Sequence, residues 1–187
     1  PVAGRHALDL ACGTGTLALL LAESGWHVIG IDSSAAMLAQ AQARLAQADL
    51  AGSVHLIHYD MRKASDVVPA AACHLVTCTY DSLNYMLTEN DLAGGFRAAA
   101  HALAPGGLFV GEMNTQHFLE HDWGTCTIHE QPGYTQVERS VFDPAQAIST
   151  MLLTGFVGND ADGYSRFDET HCERAYPPQQ IAALLQQ

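Results

Sequence analysis

The chain has 187 residues, 48 % of them hydrophobic, which suffices for one domain with a substantial core, or one domain and a small lobe, and argues against disorder. Eight basic against twenty acidic side chains give a net charge of −12. A polyanion needs a basic face to displace its counterions, so nucleic acid is excluded as a partner, and the acid excess favours solubility first and a neutral or cationic ligand second.

Residues 6–12, HALDLAC, read as a short buried strand, and residues 15–24 are apolar almost all round, as a helix covering a sheet would be. HVIGID (27–32) is a second buried strand, followed by Met37, Ala41, Leu45 and Ala48 at helical spacing. VHLIH (54–58) and CHLVTCT (73–79) are the third and fourth strands. Leu92, Phe96, Ala99 and Leu103 mark a helix that Pro105-Gly106-Gly107 stops, and GLFVGEMN (107–114) is the fifth strand. Strand and helix alternate and the strands lack polar alternation, so a mostly parallel sheet covered on both faces is predicted. Right-handed crossovers and the glycine turn after the first strand favour a Rossmann-like, doubly wound α/β fold.

After Asn114 the rhythm changes. TCTIHEQ, YTQVERSVF, AISTMLLTGFV and YSRFDETHCERAY alternate more clearly, with PG, DP and GNDADG between them. Four antiparallel strands over roughly 125–175 are predicted, so that residues 115–175 form an antiparallel β insert and residues 1–114 with 176–187 form the main domain. Pro177-Pro178 opens a last helix, PPQQIAALLQQ. The insert holds ten acids and three arginines. It is expected to roof a ligand pocket or to pair with a second copy, since an exposed apolar sheet face would favour a homodimer.

Five cysteines without a C-x-x-C pair argue against a disulfide framework and suit a reducing compartment, so a cytoplasmic location is expected. No apolar run approaches the roughly 20 residues of a membrane helix, and no signal peptide is visible. The strand pattern begins almost at the first residue, which points to further residues upstream.

The turn Cys12-Gly13-Thr14-Gly15-Thr16 lets the backbone bend sharply and a ligand approach closely. Gly13-x-Gly15-x-x-Ala18, with Asp32 nineteen residues after Gly13, would satisfy a dinucleotide fingerprint. Asp9 weighs against that reading. A carboxylate near the end of the first strand would repel a pyrophosphate and suit a cationic ligand.

DLACGTGTLA (9–18) is similar to the first motif of class I S-adenosylmethionine-dependent methyltransferases. Asp32 resembles the acid of their second motif, which holds the ribose hydroxyls, and Asp60 in HYDMRK resembles the acid that meets the adenine amino group. YDSLNYM (80–86) resembles a fourth motif of a subgroup of small bacterial methyltransferases, in which an antiparallel insert follows the fifth strand and a helix like RAYPPQQIAALL follows the insert. The resemblance covers nearly the whole chain. Thr16 stands where the fullest first motif has a third glycine, and Ala11 where it has a glycine before Cys12. Such folds close with a helix and an antiparallel hairpin, so the sheet is expected to lack its last two strands.

The resemblance implies S-adenosylmethionine as methyl donor, with no metal. Asp9 would sit near the methionine amine, and Ala11, Cys12, Gly13 and Gly15 would give room to the methionine and ribose. Asp32 would accept from the ribose diol, Ser33 and Met37 would flank ribose and adenine, and Asp60 and Met61 would meet the adenine edge. Tyr80, Asp81 and Ser82 would face the methionine side, with Tyr80 or Tyr85 against the sulfonium. Asn84 would orient the acceptor. His117, with His121 and Glu112, is the candidate general base.

Plainer readings stand beside each of these. Asp9 would cap a strand end, Asp32 its helix, and Asp60, Asp81 and Ser82 would be turn residues. Met37 and Met61 would be packing, Tyr80 and Tyr85 core aromatics, and Cys12 a small buried residue. His117-x-x-x-His121-Asp122 reads as a surface helix, and Gly158 to Gly163 as a hairpin turn, better than as metal sites. The expected function is methyl transfer to a small-molecule acceptor by in-line displacement. The rivals are an NAD-dependent oxidoreductase, disfavoured by Asp9 and by the absence of a Tyr-x-x-x-Lys pair, and a non-catalytic cofactor-binding or interaction domain.

Overall fold

The computed structural model describes residues 4–123 and 126–186. The chain divides into two compact units: residues up to Leu83 with Thr88–Met113 and the residues from Ala183, and Asn84–Leu87 with Asn114–Ala182.

The first unit is a parallel sheet of β1 (His6–Leu10), β2 (His27–Asp32), β3 (Ser53–His58), β4 (Cys73–Cys78) and β5 (Leu103–Gly111), in the order β3-β2-β1-β4-β5. The helices are α1 (Thr16–Glu23), α2 (Ala35–Leu45) and α3 (Glu89–Ala102), and a 3₁₀ turn covers Met61–Asp66. This is the Rossmann-like architecture predicted. Ala7, Leu8 and Leu10 of β1 are buried, and Ala7 packs with Ala18, Ala22 and Val28. Small side chains there let α1 lie close on the sheet. Between β1 and β4 the strand order reverses, and that switch point is where open α/β sheets bind ligands at their carboxyl ends.

The boundaries differ from the sequence reading at two places. β1 ends at Leu10, because Ala11 turns into the left-handed region with φ 55°. β5 begins at Leu103 and crosses Pro105, which an edge strand tolerates because it need not donate on its outer side. The register slips between Cys73 and Leu75, which pair with Leu103 and Leu108, and Pro105-Gly106-Gly107 fills the resulting irregularity. The strand stops at Gly111 rather than Asn114.

The second unit is an antiparallel sheet of β6 (Thr127–Gln131), β7 (Tyr134–Asp143), β8 (Ile148–Asn159) and β9 (Gly163–Arg174), paired in that order. The expected start of this lobe at Thr125 lies outside the described residues, as does Gln187. β8 and β9 meet in a tight hairpin whose turn is held by Asn159 Oδ1, which accepts from the backbone N–H of Ala161 and of Asp162. The segment read as a hairpin rather than a calcium loop is therefore a hairpin. The helix expected around His117 is a single π-type turn, Phe118–Asp122. Pro178 opens α4 (Pro178–Leu184), where its missing N–H costs nothing. No helix among the described residues is long and apolar enough to cross a membrane.

Gly52 donates to Ala22 O at 2.9 Å, and a Cβ there would come within 2.0 Å of Trp26 O. Backbone cannot rotate away as a side chain can. Gly52→Ala should therefore destabilise the first unit by about 1–3 kcal/mol, read as a lowered midpoint in thermal or urea unfolding.

Candidate functional site

The glycine turn is a closed arrangement of backbone bonds. Cys12 N donates to Ile31 O and Gly15 N to Cys12 O, both at 2.9 Å. Asp32, at the end of β2, supplies the remaining acceptors: Oδ2 takes Gly13 N–H at 2.7 Å and Oδ1 takes Ser34 N–H at 2.8 Å. The adjacent parallel pairing of β1 with β2, Leu10 against Ile31, brings that carboxylate to the turn. Asp32 is thus not the cap of α2. Ser34 is, its hydroxyl accepting from Met37 N.

The two glycines do different work. At Gly13, φ 54°, nothing lies within 4 Å of where a Cβ would be, so the turn faces open space. At Gly15, φ 74°, a Cβ would meet Ala41 Cβ at 3.1 Å, so this glycine serves the close packing of α2. Ala11 takes a positive φ without being glycine, at a cost of about 1–2 kcal/mol.

Asp9 is 2 % exposed. Its Oδ1 accepts from Thr77 Oγ1 of β4 at 2.7 Å. Burial pushes its pKa up to about 6, the Thr77 bond pulls it back, and the charge of Asp32 adds a smaller rise. Burial, with the nearby Asp9 charge, also pushes Cys12 and Cys78 up to about 12, so neither thiol is a nucleophile at neutral pH.

Ser33, Met37, Asp60, Met61, Tyr80, Asp81 and Ser82 are the other candidates of the first unit. Asp60 caps the 3₁₀ turn by accepting from Arg62 N, and both its oxygens pair with the Arg62 guanidinium. Those bonds hold its carboxyl below the usual range. Arg62 also reaches Asp91 at 2.6 Å, which Thr88 contacts in turn. Met61 is buried, with Cys78 Sγ at 3.9 Å from its sulfur. Met37 and Tyr80 are exposed, Tyr80 at 76 % and with φ 58°. Tyr80 N donates to Glu112 Oε2 at 2.9 Å, which occupies an oxygen of one candidate base. Ser33 O accepts from His58 Nε2. Ser82 Oγ lies 3.4 Å from Thr79 O, and Asp81 and Ser82 are half-buried.

Asn84, Tyr85 and His117 belong to the second unit. Asn84 is fully buried, its Nδ2 donating to Asn114 O and Arg174 O and its Oδ1 accepting from Asn114 N. With both ends of the amide engaged it braces the lobe. His117 sits on the π-type turn, its ring 4.8 Å from that of His121 and its Nε2 3.9 Å from Asp122.

Two contributors had no signal in the sequence reading. Thr77 is one polar residue in a buried strand, and only the β1–β4 register sets it beside Asp9. Arg44 donates to Thr14 O, Thr14 Oγ1 and Thr16 Oγ1, clamping the glycine turn from 28 to 30 residues away.

The sequence pattern of the methyltransferase domain matches residues 7–107, which take in β1 from Ala7, the glycine turn and β2 to β4. The chain belongs to that methyltransferase family. It is 30 % identical over 185 residues to YqeM of Bacillus subtilis (strain 168), which carries a methyltransferase designation, covering 99 % of this chain and 72 % of that protein. It superposes on an S-adenosylmethionine-dependent methyltransferase from Clostridium acetobutylicum with a TM-score of 0.84 at 28 % identity, over 99 % of this chain and 72 % of the other. A structure of S-adenosylmethionine-bound CalS10, an amino pentose methyltransferase from Micromonospora echinaspora, gives 0.73 at 26 % identity over 97 % and 73 %. This methyltransferase uses S-adenosylmethionine as its donor. The anionic pair Asp9 and Asp32 beside the open space at Gly13 fits a donor that carries an ammonium and a sulfonium.

Because the folded pKa of Asp9 is raised, the folded chain binds more protons than the unfolded chain between its ordinary value of 3.8 and about 6. Its contribution to stability is greatest below that window and is lost as pH rises through it, by about 3 kcal/mol. Asp60, Asp91, Asp143 and Asp168, whose pKa values are lowered, act in the opposite sense at lower pH. Asp9→Asn should therefore flatten the fall between pH 4 and pH 6, seen by comparing urea unfolding of the two proteins across that range.

Proposed function

We propose that the first unit holds S-adenosylmethionine at the carboxyl edge of its sheet, and that the methyl group passes by in-line displacement to a small-molecule acceptor. The observation that carries this reading is the buried Asp9 carboxylate at a glycine turn that Asp32 already ties. Two carboxylates held near one turn make a negative potential that a pyrophosphate would oppose and an ammonium would relieve.

In this reading Asp9 faces the methionine amine, and the Ala11-Cys12-Gly13 backbone lies along the methionine and ribose. Gly15 keeps that backbone close to α2. Asp32 accepts from the ribose diol through the lone pairs that Gly13 and Ser34 leave, and Ser33 and Met37 border ribose and adenine. Asp60, pinned by Arg62, and the Met61 backbone meet the adenine edge. Tyr80 turns a ring face to the sulfonium, with Asp81 and Ser82 on the methionine side. The donor supplies an already activated methyl group, so the protein's task is to bring the nucleophile into line and exclude competing geometry.

Calorimetry with S-adenosylhomocysteine tests the assignment. Asp32→Asn should weaken binding roughly ten- to a hundredfold, the value of a hydrogen bond to a charged group. Affinity for S-adenosylmethionine should also fall as pH drops below the Asp9 value of about 6, and this dependence should vanish in Asp9→Asn. Near-unchanged affinity in Asp32→Asn would remove the assignment.

A further inference from the structure

The amino edge of the parallel sheet, the end away from the glycine turn, carries a row of imidazoles. His6 pairs with His27, and His27 with Ser53, across β1, β2 and β3. The β1–β4 register, one residue before Ala7 against Leu75, sets His74 on the other side of His6. Paired residues of neighbouring strands point to one face, so the rings stand close. The His6 and His27 centroids are 5.2 Å apart with planes tilted by 31°, and those of His6 and His74 are 5.9 Å apart and tilted by 33°. The opposite face is the one that α1 covers, where Ala7 and Val28 pack with Ala18 and Ala22. His6 and His27 are exposed.

The three rings are not equivalent. Gly4 packs on one edge of the His74 ring, so closely that a Cβ there would come within 2.4 Å of Cε1 and Nε2. The other nitrogen, Nδ1, is buried and has no hydrogen-bond partner among the described residues. His74 is therefore a wall of the row. His27 is held differently, its Nδ1 lying 3.0 Å from Ser53 Oγ. With the Nδ1 hydrogen donated to that hydroxyl, Nε2 carries the lone pair. His27 N also donates to Arg5 O at 2.7 Å, which ties the starts of the two strands together and keeps their rings in step. Arg5 Nη1 donates to Ser24 O just after α1, so the guanidinium beside His6 in the chain is drawn to the helix end.

We propose that His6 and His27 bind one divalent transition-metal ion, Ni²⁺, Cu²⁺ or Zn²⁺, between their rings at the exposed amino edge. Imidazole nitrogen suits these ions, whereas Mg²⁺ and Ca²⁺ favour oxygen. With metal–nitrogen bonds of about 2.0–2.1 Å, two rings on one ion have centroids on the order of 5 Å apart, the spacing that His6 and His27 already show. No three His, Cys, Asp or Glu side chains among the described residues form a ready ligand group, so the protein gives two ligands and water completes the shell. Ser53 fixes the ring and tautomer of His27, as an outer partner of a ligating histidine does. The ion fastens β1 to β2 at their starts. Asp9 lies roughly 10 Å further along β1 and on the other face, so the site is separate from the glycine turn and independent of the methyl-transfer reading.

The test is a titration of the chain with Ni²⁺ at pH 7.5, followed by NMR of assigned histidine Cε1–H groups, with Mg²⁺ as the control. The His6 and His27 signals should broaden together, and this first step should saturate at one ion per chain. They should respond at a lower ratio than those of His117 and His121, whose rings stand 4.8 Å apart on an exposed turn. Mg²⁺ should leave them unchanged. His6→Asn and His27→Asn should each abolish the first step, and Ser53→Ala should weaken it roughly ten- to a hundredfold. The wild-type titration decides by itself, whether or not the variants fold. Unmoved His6 and His27 signals, a response of one without the other, an equal response to Mg²⁺, or saturation at His117 and His121 first would overturn the inference.

Discussion

The site rests on a carboxylate placed where water hardly reaches it. Asp9 lies near the end of a strand buried from Ala7 onward, and Thr77 gives it a side-chain hydrogen bond. The energetic sign is unfavourable to the empty fold at neutral pH, since burial disfavours the charged form. A cation brought beside it recovers that cost as binding free energy. In the proposed site the instability is stored where the donor's cation would be received, a recurrent feature of sites whose work depends on a preset field.

Asp32 makes that field tolerable to the fold. Its oxygens each accept one backbone N–H, from the glycine turn and from the start of α2, so its charge is spread over groups whose dipoles already point at it. Arg44 closes the same turn from the far side through three oxygen contacts. The turn is therefore held by an anion and a cation drawn from distant parts of the chain. Gly13 is left as the position where its backbone faces open space.

Much of this was legible in the sequence because parallel strands buried on both faces read as continuous apolar runs, and because acids at their carboxyl ends interrupt those runs. Asp9, Asp32 and Asp60 stand out for that reason. Thr77, Arg44 and the Arg62 pairing with Asp91 do not, because each depends on a register or a side-chain reach that no local pattern encodes. The start of β5 was hidden by Pro105, which reads as a stop yet sits in an edge strand. In the lobe, alternation disclosed the strands and the hairpin at Asn159. Which residues face each other across β7, β8 and β9 was closed to sequence reading, so the contact of His171 with Glu169 passed unnoticed although they lie only two residues apart. His117 drew attention by its spacing to His121, and the two rings do meet, but on a single exposed turn.

The net charge of −12 takes on a more specific meaning once the lobe is sorted by face. A solvated acidic surface alone would place arginines and carboxylates on both sides of a sheet without preference. Here Arg166 pairs with Asp168 on one face, while Glu138 and Glu169 on the other have histidines near them at 3.7 and 3.1 Å. Histidine can become a cation or remain neutral near physiological pH, whereas arginine cannot give up its charge. The same logic operates in the first unit, where Asp9 has a hydroxyl rather than a guanidinium as its side-chain partner. Asp60, whose carboxylate is locked to Arg62, is by contrast held for shape rather than for charge.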